Sequence, residues 1–187
     1  MLRDNFAFRK KNQLGKIDKS LKQSIDKKIK KLCDLINKNP NYYTTSSCSG
    51  RIVLIKESKE KTEDLFLFVS HDLVKFEELK KELAGIKYED LVYFKQDPVI
   101  LHVACRTLND AQKLHDFAKW SGWKRCGIIA TKKRFMVELN GTHKIEMPIM
   151  NNGKILVDDK FLEILVNESN KKLEKSWSII KNLEKLI

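Results

Sequence analysis

Two successive strand–helix–strand patterns constrain the fold of this chain more than any other feature. The first occupies residues 65–94 and the second residues 99–130, and in each an amphipathic helix separates two apolar strands. Setting Leu65 opposite Val99 aligns Leu67 with Leu101 and Val69 with Val103. Two such units at a constant offset indicate an internal duplication.

The remaining segments complete a single-domain prediction for residues 1–187. Further strands are expected at 51–55, 134–139, 144–150 and 155–157, and terminal helices are expected at roughly 18–38 and 159–187. No Gly/Ser/Pro-rich linker divides the chain. We therefore expect one α+β domain whose pseudo-repeats span roughly residues 51–97 and 98–157.

The charge of the chain favours a polyanionic partner. The sequence has 37 Lys and Arg against 25 Asp and Glu, which gives a formal net charge of +12. Cations that neutralise phosphates release condensed counterions, so such a surface suits nucleic acid. A general surface bias is the alternative explanation, because charge alone does not identify a partner.

Several classes of protein are excluded by missing signatures. The four cysteines form no C-x-x-C pair, which argues against a zinc site, and we expect no metal. There is no G-x-G-x-x-G, P-loop or H-E-x-x-H motif. No signal peptide is evident, and the apolar runs are too short to span a bilayer. We expect a soluble, cytoplasmic protein without membrane association.

The segment 41–51 is rich in groups that can hold an anion. It contains two tyrosines, five Ser or Thr residues, a thiol, Gly50 and Arg51 between a lysine-rich helical pattern and an apolar strand. Hydroxyls and backbone N–H groups in a loop can form a concave nest for a carboxylate or phosphate, and Arg51 adds a planar fork. A polar turn that leads into the strand is the alternative, and the residues alone leave both open.

Two histidines are candidates for proton transfer. His71 stands where a strand gives way to a helix, and His102 lies inside an apolar strand, where alternation points it to the face opposite its neighbours. Either imidazole can accept a proton or orient a substrate. Each can also be an ordinary hydrogen-bonded histidine in the core or at a strand end.

The order of several short motifs resembles a known enzyme family. These are the T-S-S-C-S-G-R run at 45–51, Ser70-His71, Leu101-His102-Val103, the segment 121–128, Met147-Pro148, and Asn167 with Asn170. Together they resemble the wybutosine-synthesising tRNA methyltransferase family over nearly the whole chain. The serine-rich run is the specific part of the resemblance.

The resemblance implies an S-adenosylmethionine-dependent methyltransferase. Its implied substrate is N4 of the 7-aminocarboxypropyl-demethylwyosine base beside the anticodon of phenylalanine tRNA. Its implied fold has duplicated β-α-β-β units that form a closed, barrel-like mixed sheet, unlike Rossmann-type methyltransferases. The missing glycine fingerprint and the internal repeat agree with this fold.

The resemblance also suggests roles for residues. The cofactor's amino-acid end, or the carboxylate of the substrate, would be held by Ser46, Ser47, Cys48, Ser49, Gly50 and Arg51. His102 or His71 would be the base or the orienting group. The RNA would stack on or bind to Tyr42, Tyr43, Trp123, Lys132, Lys133 and Arg134.

Two other functions remain open from the sequence. One is a non-enzymatic RNA-binding module whose serine-rich segment clamps phosphate, and the other is a small-molecule anion-binding protein. The sequence does not decide which wyosine intermediate is the substrate, which histidine faces it, or what the oligomeric state is.

Overall fold

Helices and antiparallel strands alternate along the chain. The structure is a computed structural model that describes residues 5–16, 25–57, 65–132 and 134–187. Its elements in chain order are α1 (Asn5–Leu14), α2 (Lys27–Lys38), β1 (Tyr42–Cys48), β2 (Arg51–Lys56), β3 (Phe66–Ser70), α3 (Phe76–Gly85), β4 (Val92–Asp97), β5 (Ile100–Cys105), α4 (Leu108–Trp120), β6 (Arg125–Ala130), β7 (Phe135–Asn140), β8 (Ile145–Asn151), β9 (Lys154–Ile155) and α5 (Asp159–Glu184). The α+β class is confirmed.

The chain is divided between two compact units made of separate segments. The first unit comprises Met1–Ser49, Val99–Thr142 and Ser176–Ile187, and the second comprises Gly50–Pro98 and His143–Lys175. The helix α5 contributes its beginning to the second unit and its end to the first. One domain over residues 1–187 stays a prediction.

A four-stranded antiparallel sheet forms the centre of the first unit. Its strand order is β1-β5-β7-β6. Because side chains alternate along a strand, one face of this sheet is apolar and joins residues of α2, α4 and the end of α5 in a buried core. That core contains Ile29, Leu32, Leu101, Val103, Leu114, Trp123, Val137, Leu139 and Ile180.

The second unit contains the other sheet, in the order β3-β2-β4-β8-β9. Leu54 and Phe94 are fully buried there and occupy paired positions of β2 and β4. Asn170 of α5 fixes the segment before α3, because its side chain accepts from the Val74 N–H over 3.0 Å and donates to the Val74 carbonyl over 2.8 Å.

Both predicted strand–helix–strand patterns share one topology. In the first unit β7 lies between β5 and β6, and in the second unit β2 lies between β3 and β4. Each intervening strand is antiparallel to both neighbours. The strands joined by α3 or α4 therefore run parallel without touching, as in a split βαβ unit. The prediction of a mixed sheet is wrong, since every described strand pairing is antiparallel.

Some element boundaries differ from the predictions. The N-terminal helix of the described part, α1, is missing from the sequence prediction, because Arg9, Lys10 and Lys11 obscure its apolar positions. Of the helix predicted at 18–38, the structure shows α2, while residues 18–24 lie outside the described residues. The helix predicted within the first strand–helix–strand pattern, residues 65–94, runs from Phe76 to Gly85.

Candidate active site

The serine-rich segment is a strand and not the predicted loop. Tyr42–Cys48 forms β1, an edge strand that pairs antiparallel with β5. Tyrosine and threonine have high strand propensity, and Tyr42, Tyr43 and Thr44 are buried, which anchors the beginning of the segment. Packing therefore outweighed the local turn preference of serine.

A β-bulge at Thr45 decides which serine faces which side of the sheet. Thr44 pairs with Val103, but Ser46 pairs with the next residue of β5, His102, so β1 has one extra residue. The Thr45 hydroxyl donates to the His102 carbonyl oxygen over 3.4 Å. Because of this extra residue, Ser46 lies on the face of His102 and Ser47 lies on the core face.

Four residues form a row across the face of the sheet that is opposite the core. Ser46 of β1 pairs with His102 of β5, His102 with Glu138 of β7, and Glu138 with Gly127 of β6. We call this side of the sheet the polar face. The side chains of His102 and Glu138 are 26% and 35% exposed, and a Cβ added at Gly127 would meet no atom within 4 Å. The polar face therefore has open space at its β6 end.

His102 and Glu138 are close enough to act together. His102 Nε2 lies 2.7 Å from Glu138 Oε2. A carboxylate accepts hydrogen bonds, so the arrangement assigns the imidazole proton to Nε2 and leaves Nδ1 with its lone pair. A histidine oriented in this way can take a proton from a substrate. Sequence reasoning missed Glu138, because a single acidic residue in a strand does not reveal which histidine it faces.

One end of the polar face is covered by α1. Phe6 packs on Tyr43 with their ring centroids 5.1 Å apart, beside Ala104 and Met136. The Arg106 guanidinium lies 4.9 Å from the centroid of the Phe6 ring. This apolar cap leaves the row of Ser46 and His102 beyond its edge.

Two of the predicted anion-binding serines have partners within the chain. The backbone N–H and the hydroxyl of Ser49 donate to Asp26 Oδ2 over 2.9 and 3.3 Å. The Ser47 side chain hydrogen-bonds Cys33, and this bond by itself lowers the pKa of the Cys33 thiol. Burial has the larger effect and raises that pKa to about 11. Ser46 is exposed on the polar face, and the Cys48 side chain is half-buried. The donor pair of Ser49 is therefore occupied by a carboxylate of the same chain.

Gly50 and Arg51 belong to the second unit. Gly50 has a φ of 96°, a conformation that glycine adopts without strain. Arg51 Nε donates to Asp97 Oδ2 over 3.1 Å, and its guanidinium carbon lies 5.0 Å from the centroid of the Phe66 ring. The Arg51 side chain is 32% exposed. Asp97 and Phe66 thus hold this guanidinium in one orientation.

His71 also belongs to the second unit, in the turn after β3. It is half-buried, and the neighbouring Ser70 hydroxyl donates to the Asp72 carbonyl oxygen over 3.0 Å. His71 is not part of the sheet row that contains His102. Of the two candidate histidines, His102 is therefore the one that lies in a row with Glu138.

The predicted RNA-stacking aromatics are buried. Trp123 and Tyr43 have no exposed surface and Tyr42 is 8% exposed. This burial leaves them no ring face on which a base can stack, which corrects the prediction for all three. Lys132 and Arg134 are exposed, whereas Lys133 lies outside the residues whose side chains are described.

Comparisons with known proteins agree on one family. The model of the family described as "Methyltransferase TYW3" matches residues 8–187. A "tRNA wybutosine-synthesizing protein 3 homolog" of Xenopus laevis is 38% identical, over 91% of this chain and 70% of its own length. The "tRNA(Phe) 7-((3-amino-3-carboxypropyl)-4-demethylwyosine(37)-N(4))-methyltransferase 2" of Pyrococcus furiosus is 34% identical, over 93% of this chain and 85% of its own length.

Solved structures give the same result for the fold. The PH1069 protein from Pyrococcus horikoshii superposes with a TM-score of 0.87 at 31% identity, over 97% of this chain and 93% of its own. No helix in the described part of the chain combines the length and the apolar character that crossing a membrane requires. The family match covers nearly all of the sequence, including β1 and the polar face, and the chain therefore belongs to the Methyltransferase TYW3 family.

Proposed function

We propose that this protein methylates N4 of the 7-aminocarboxypropyl-demethylwyosine base in phenylalanine tRNA. Its family is a methyltransferase family, and the Pyrococcus furiosus relative is named for this reaction. The structural observation that carries the proposal is the 2.7 Å contact between His102 Nε2 and Glu138 Oε2 on the polar face. N-methylation needs a group that accepts the proton of the nitrogen, and this pair supplies one.

In this reaction His102 acts as the general base. The methyl donor is S-adenosylmethionine, which supplies an electrophilic methyl group when bound. Its sulfonium would give the methyl group to the N4 lone pair and would keep the electrons of the broken carbon–sulfur bond. His102 Nδ1 takes the N4 proton while Glu138 stabilises the imidazolium. The Ser46 hydroxyl, on the same face, orients the substrate by hydrogen bonding.

The carboxylate of the cofactor or of the substrate fits Arg51 better than Ser49. Asp26 already takes both donors of Ser49. Asp97 holds Arg51 at Nε, so the two terminal nitrogens of the guanidinium can still meet a second carboxylate in a planar pair. Gly50 presents no Cβ beside this fork. We therefore assign carboxylate binding to Arg51 and Gly50.

The tRNA is bound through phosphate contacts. The formal net charge of +12 supports this interaction, and Lys132 and Arg134 extend from the connection between β6 and β7. A cytoplasmic location belongs to the proposal, because the substrate is a tRNA. Closure of the strands into one barrel stays a prediction of the fold.

Transfer of a radiolabelled methyl group tests the proposal directly. Purified protein, S-adenosylmethionine and phenylalanine tRNA bearing the demethylwyosine precursor should give labelled tRNA, with the label on N4 after nuclease digestion. Tight tRNA binding without methyl transfer, and without heat on calorimetric titration with S-adenosylmethionine, would overturn the proposal. That result would favour the non-enzymatic RNA-binding module.

A further inference from the structure

Trp120 is far more exposed than the other two tryptophans of the chain. It is 73% exposed at the end of α4, whereas Trp123 is fully buried and Trp177 is half-buried. The Lys28 ammonium lies 4.4 Å from the centroid of the Trp177 ring, so that ring already has a partner on one face. Of the three tryptophans, Trp120 is therefore the one whose ring is mostly exposed to solvent.

The turn after α4 holds Trp120 in this exposed position. Trp123 N–H donates to the Ala118 carbonyl over 3.0 Å, and Gly122 N–H donates to the Lys119 carbonyl over 3.1 Å. These two bonds, with Gly122 at a φ of 98°, make a Schellman motif. The motif directs Trp123 into the core and leaves Trp120 outside. The exposure of Trp120 therefore comes from a helix end that two backbone hydrogen bonds fix.

Phe117 supports the exposed ring from one side. The centroids of Phe117 and Trp120 are 5.8 Å apart with an interplanar angle of 60°. Phe117 itself packs partly against the core of the first unit. A tilted contact of this kind fixes the indole while leaving a broad face uncovered. The ring is thus oriented before any ligand arrives.

The surroundings of Trp120 are mainly basic. Lys119, Lys124 and Arg125 are exposed within five residues of it, and Lys119 Nζ donates to the Lys124 carbonyl over 2.9 Å. The nearby acidic group, Asp116, accepts a hydrogen bond from Gln112 Nε2 over 2.8 Å. An exposed aromatic ring among cations suits single-stranded nucleic acid, because bases stack on the ring and phosphates meet the cations.

We propose that Trp120 is a stacking platform for an unpaired base of the tRNA substrate, with Lys119, Lys124 and Arg125 holding the adjacent phosphates. This inference rests on the proposed tRNA substrate and adds a binding site outside the polar face. It also transfers the stacking role that the sequence suggested for Trp123 to a residue three positions earlier.

Tryptophan fluorescence and binding of the full-length protein test the platform. Phenylalanine tRNA should quench the wild-type emission, and this quenching should be lost in Trp120→Phe, since Trp123 is fully buried and Lys28 covers one face of the Trp177 ring. A fully paired RNA duplex should not quench it. Trp120→Ala should weaken tRNA binding by about 5- to 100-fold, as loss of one stacked base does. Trp120→Phe should keep most of the affinity.

Two control variants separate stacking from charge and from general surface effects. Leu108→Ala removes another exposed apolar side chain of α4, 53% exposed, and should change tRNA affinity less than twofold. Lys124→Ala should reduce the slope of binding against salt concentration by about one, whereas Trp120→Ala should leave that slope unchanged. Thermal unfolding of each variant should match that of the wild type.

Unchanged tRNA affinity in Trp120→Ala, together with quenching by tRNA that survives in Trp120→Phe, would overturn the platform. Loss of self-association in Trp120→Ala, with tRNA affinity unchanged, would also overturn it and identify a contact between copies. If the wild-type protein methylates tRNA and Trp120→Ala has the wild-type KM for tRNA, the stacking role of Trp120 is wrong but the proposed function stands. If wild-type protein transfers no methyl group, the proposed function fails, and quenching still tests the platform.

Discussion

His102 and Glu138 face each other across β5 and β7, with His102 Nε2 2.7 Å from Glu138 Oε2. The register of the two strands places them side by side on the polar face, and both remain partly accessible. A carboxylate that fixes one ring nitrogen leaves the other for chemistry, which is how an acid–histidine pair works in many enzymes. The pair is therefore the first target for mutation.

Replacing His102 should disable the chemical step without preventing tRNA binding. We expect His102→Ala to lower kcat by about 100- to 10,000-fold, the usual contribution of a general base. Glu138→Gln should lower kcat by at least about tenfold, because the amide cannot stabilise an imidazolium as a carboxylate does. Single-turnover methyl transfer with saturating tRNA measures both effects.

A matched control is the histidine–acid pair of His115 and Asp116. His115 Nδ1 lies 3.2 Å from Asp116 Oδ1 on α4, outside the polar face. His115→Ala should leave kcat within twofold of the wild type. Equal losses in His102→Ala and His115→Ala would argue for a general effect on the fold, and a normal rate in His102→Ala would remove His102 from the mechanism.

The side of the sheet on which His102 lies could be predicted from local sequence, but its partner Glu138 could not. Alternation in Leu101-His102-Val103 correctly placed His102 on the face opposite the core. Glu138 was missed, because strand pairing is a long-range property that one sequence does not encode visibly. The Thr45 bulge was missed for the same reason, since a one-residue shift depends on the partner strand.

Ser46 and Ser47 offer a test of the side-chain directions set by the bulge. Ser46 is exposed and pairs with His102, whereas Ser47 pairs with Leu101 on the core face. Ser46→Ala should lower kcat/KM by about tenfold, the value of one lost hydrogen bond of about 1.4 kcal/mol. Ser47→Ala should leave kcat/KM unchanged.

The free energy of unfolding should depend more on Ser47 than on Ser46, which is the reverse of the effect on activity. Ser46→Ala removes an exposed hydroxyl and should change the free energy of unfolding by less than about 0.5 kcal/mol. Ser47→Ala removes the hydrogen bond to Cys33 and should cost about 1 kcal/mol. Urea titrations at neutral pH measure both. A larger loss of activity in Ser47→Ala than in Ser46→Ala would contradict the orientation of β1.

The proposal assigns carboxylate binding to Arg51. Arg51→Ala should abolish methyl transfer, and Arg51→Lys should recover only part of it, because an ammonium does not form a planar two-point pair. Calorimetric titration with S-adenosylmethionine shows whether the lost carboxylate belongs to the cofactor. If cofactor binding persists while the KM for tRNA rises, Arg51 holds the substrate carboxylate instead.

Asp97→Asn is the companion variant for Arg51. It removes the charge that pairs with Arg51 Nε but keeps the side-chain size. We expect a weaker defect than in Arg51→Ala, since Phe66 still supports the guanidinium. Near-normal turnover in Arg51→Ala would show that the carboxylate site lies elsewhere.

The sequence around the two tryptophans near the end of α4 does not predict which of them is exposed. Trp120 and Trp123 stand in the same short segment, and both are flanked by lysine. Only the turn at Gly122 decides that the first is exposed and the second is buried. A glycine after a helix predicts the turn, but the side on which each ring then lies depends on packing with the rest of the core.

Buried ionisable groups in the first unit make its stability sensitive to alkaline pH. Burial raises the pKa of the Cys105 thiol from 9.0 to about 12 and that of Cys33 from 9.0 to about 11. Burial, followed by the negative charge of Asp110, raises the pKa of Tyr42 from 10.0 to about 12. The unfolded chain therefore loses these protons at lower pH than the folded chain does.

Alkaline pH should lower the free energy of unfolding, because the unfolded chain loses these protons at lower pH than the folded chain does. The stabilisation is fully present below about pH 9 and is lost as pH rises towards 12, by up to about 1.4 kcal/mol per pH unit for each group. Urea unfolding under reducing conditions at pH 8, 9, 10 and 11 should show this decline. Cys105→Ala should be less stable than the wild type at pH 8 but should lose stability less steeply above pH 9. A free energy of unfolding that stays constant from pH 9 to 11, or an equal slope in Cys105→Ala, would show that Cys105 is not a buried thiol in the folded protein.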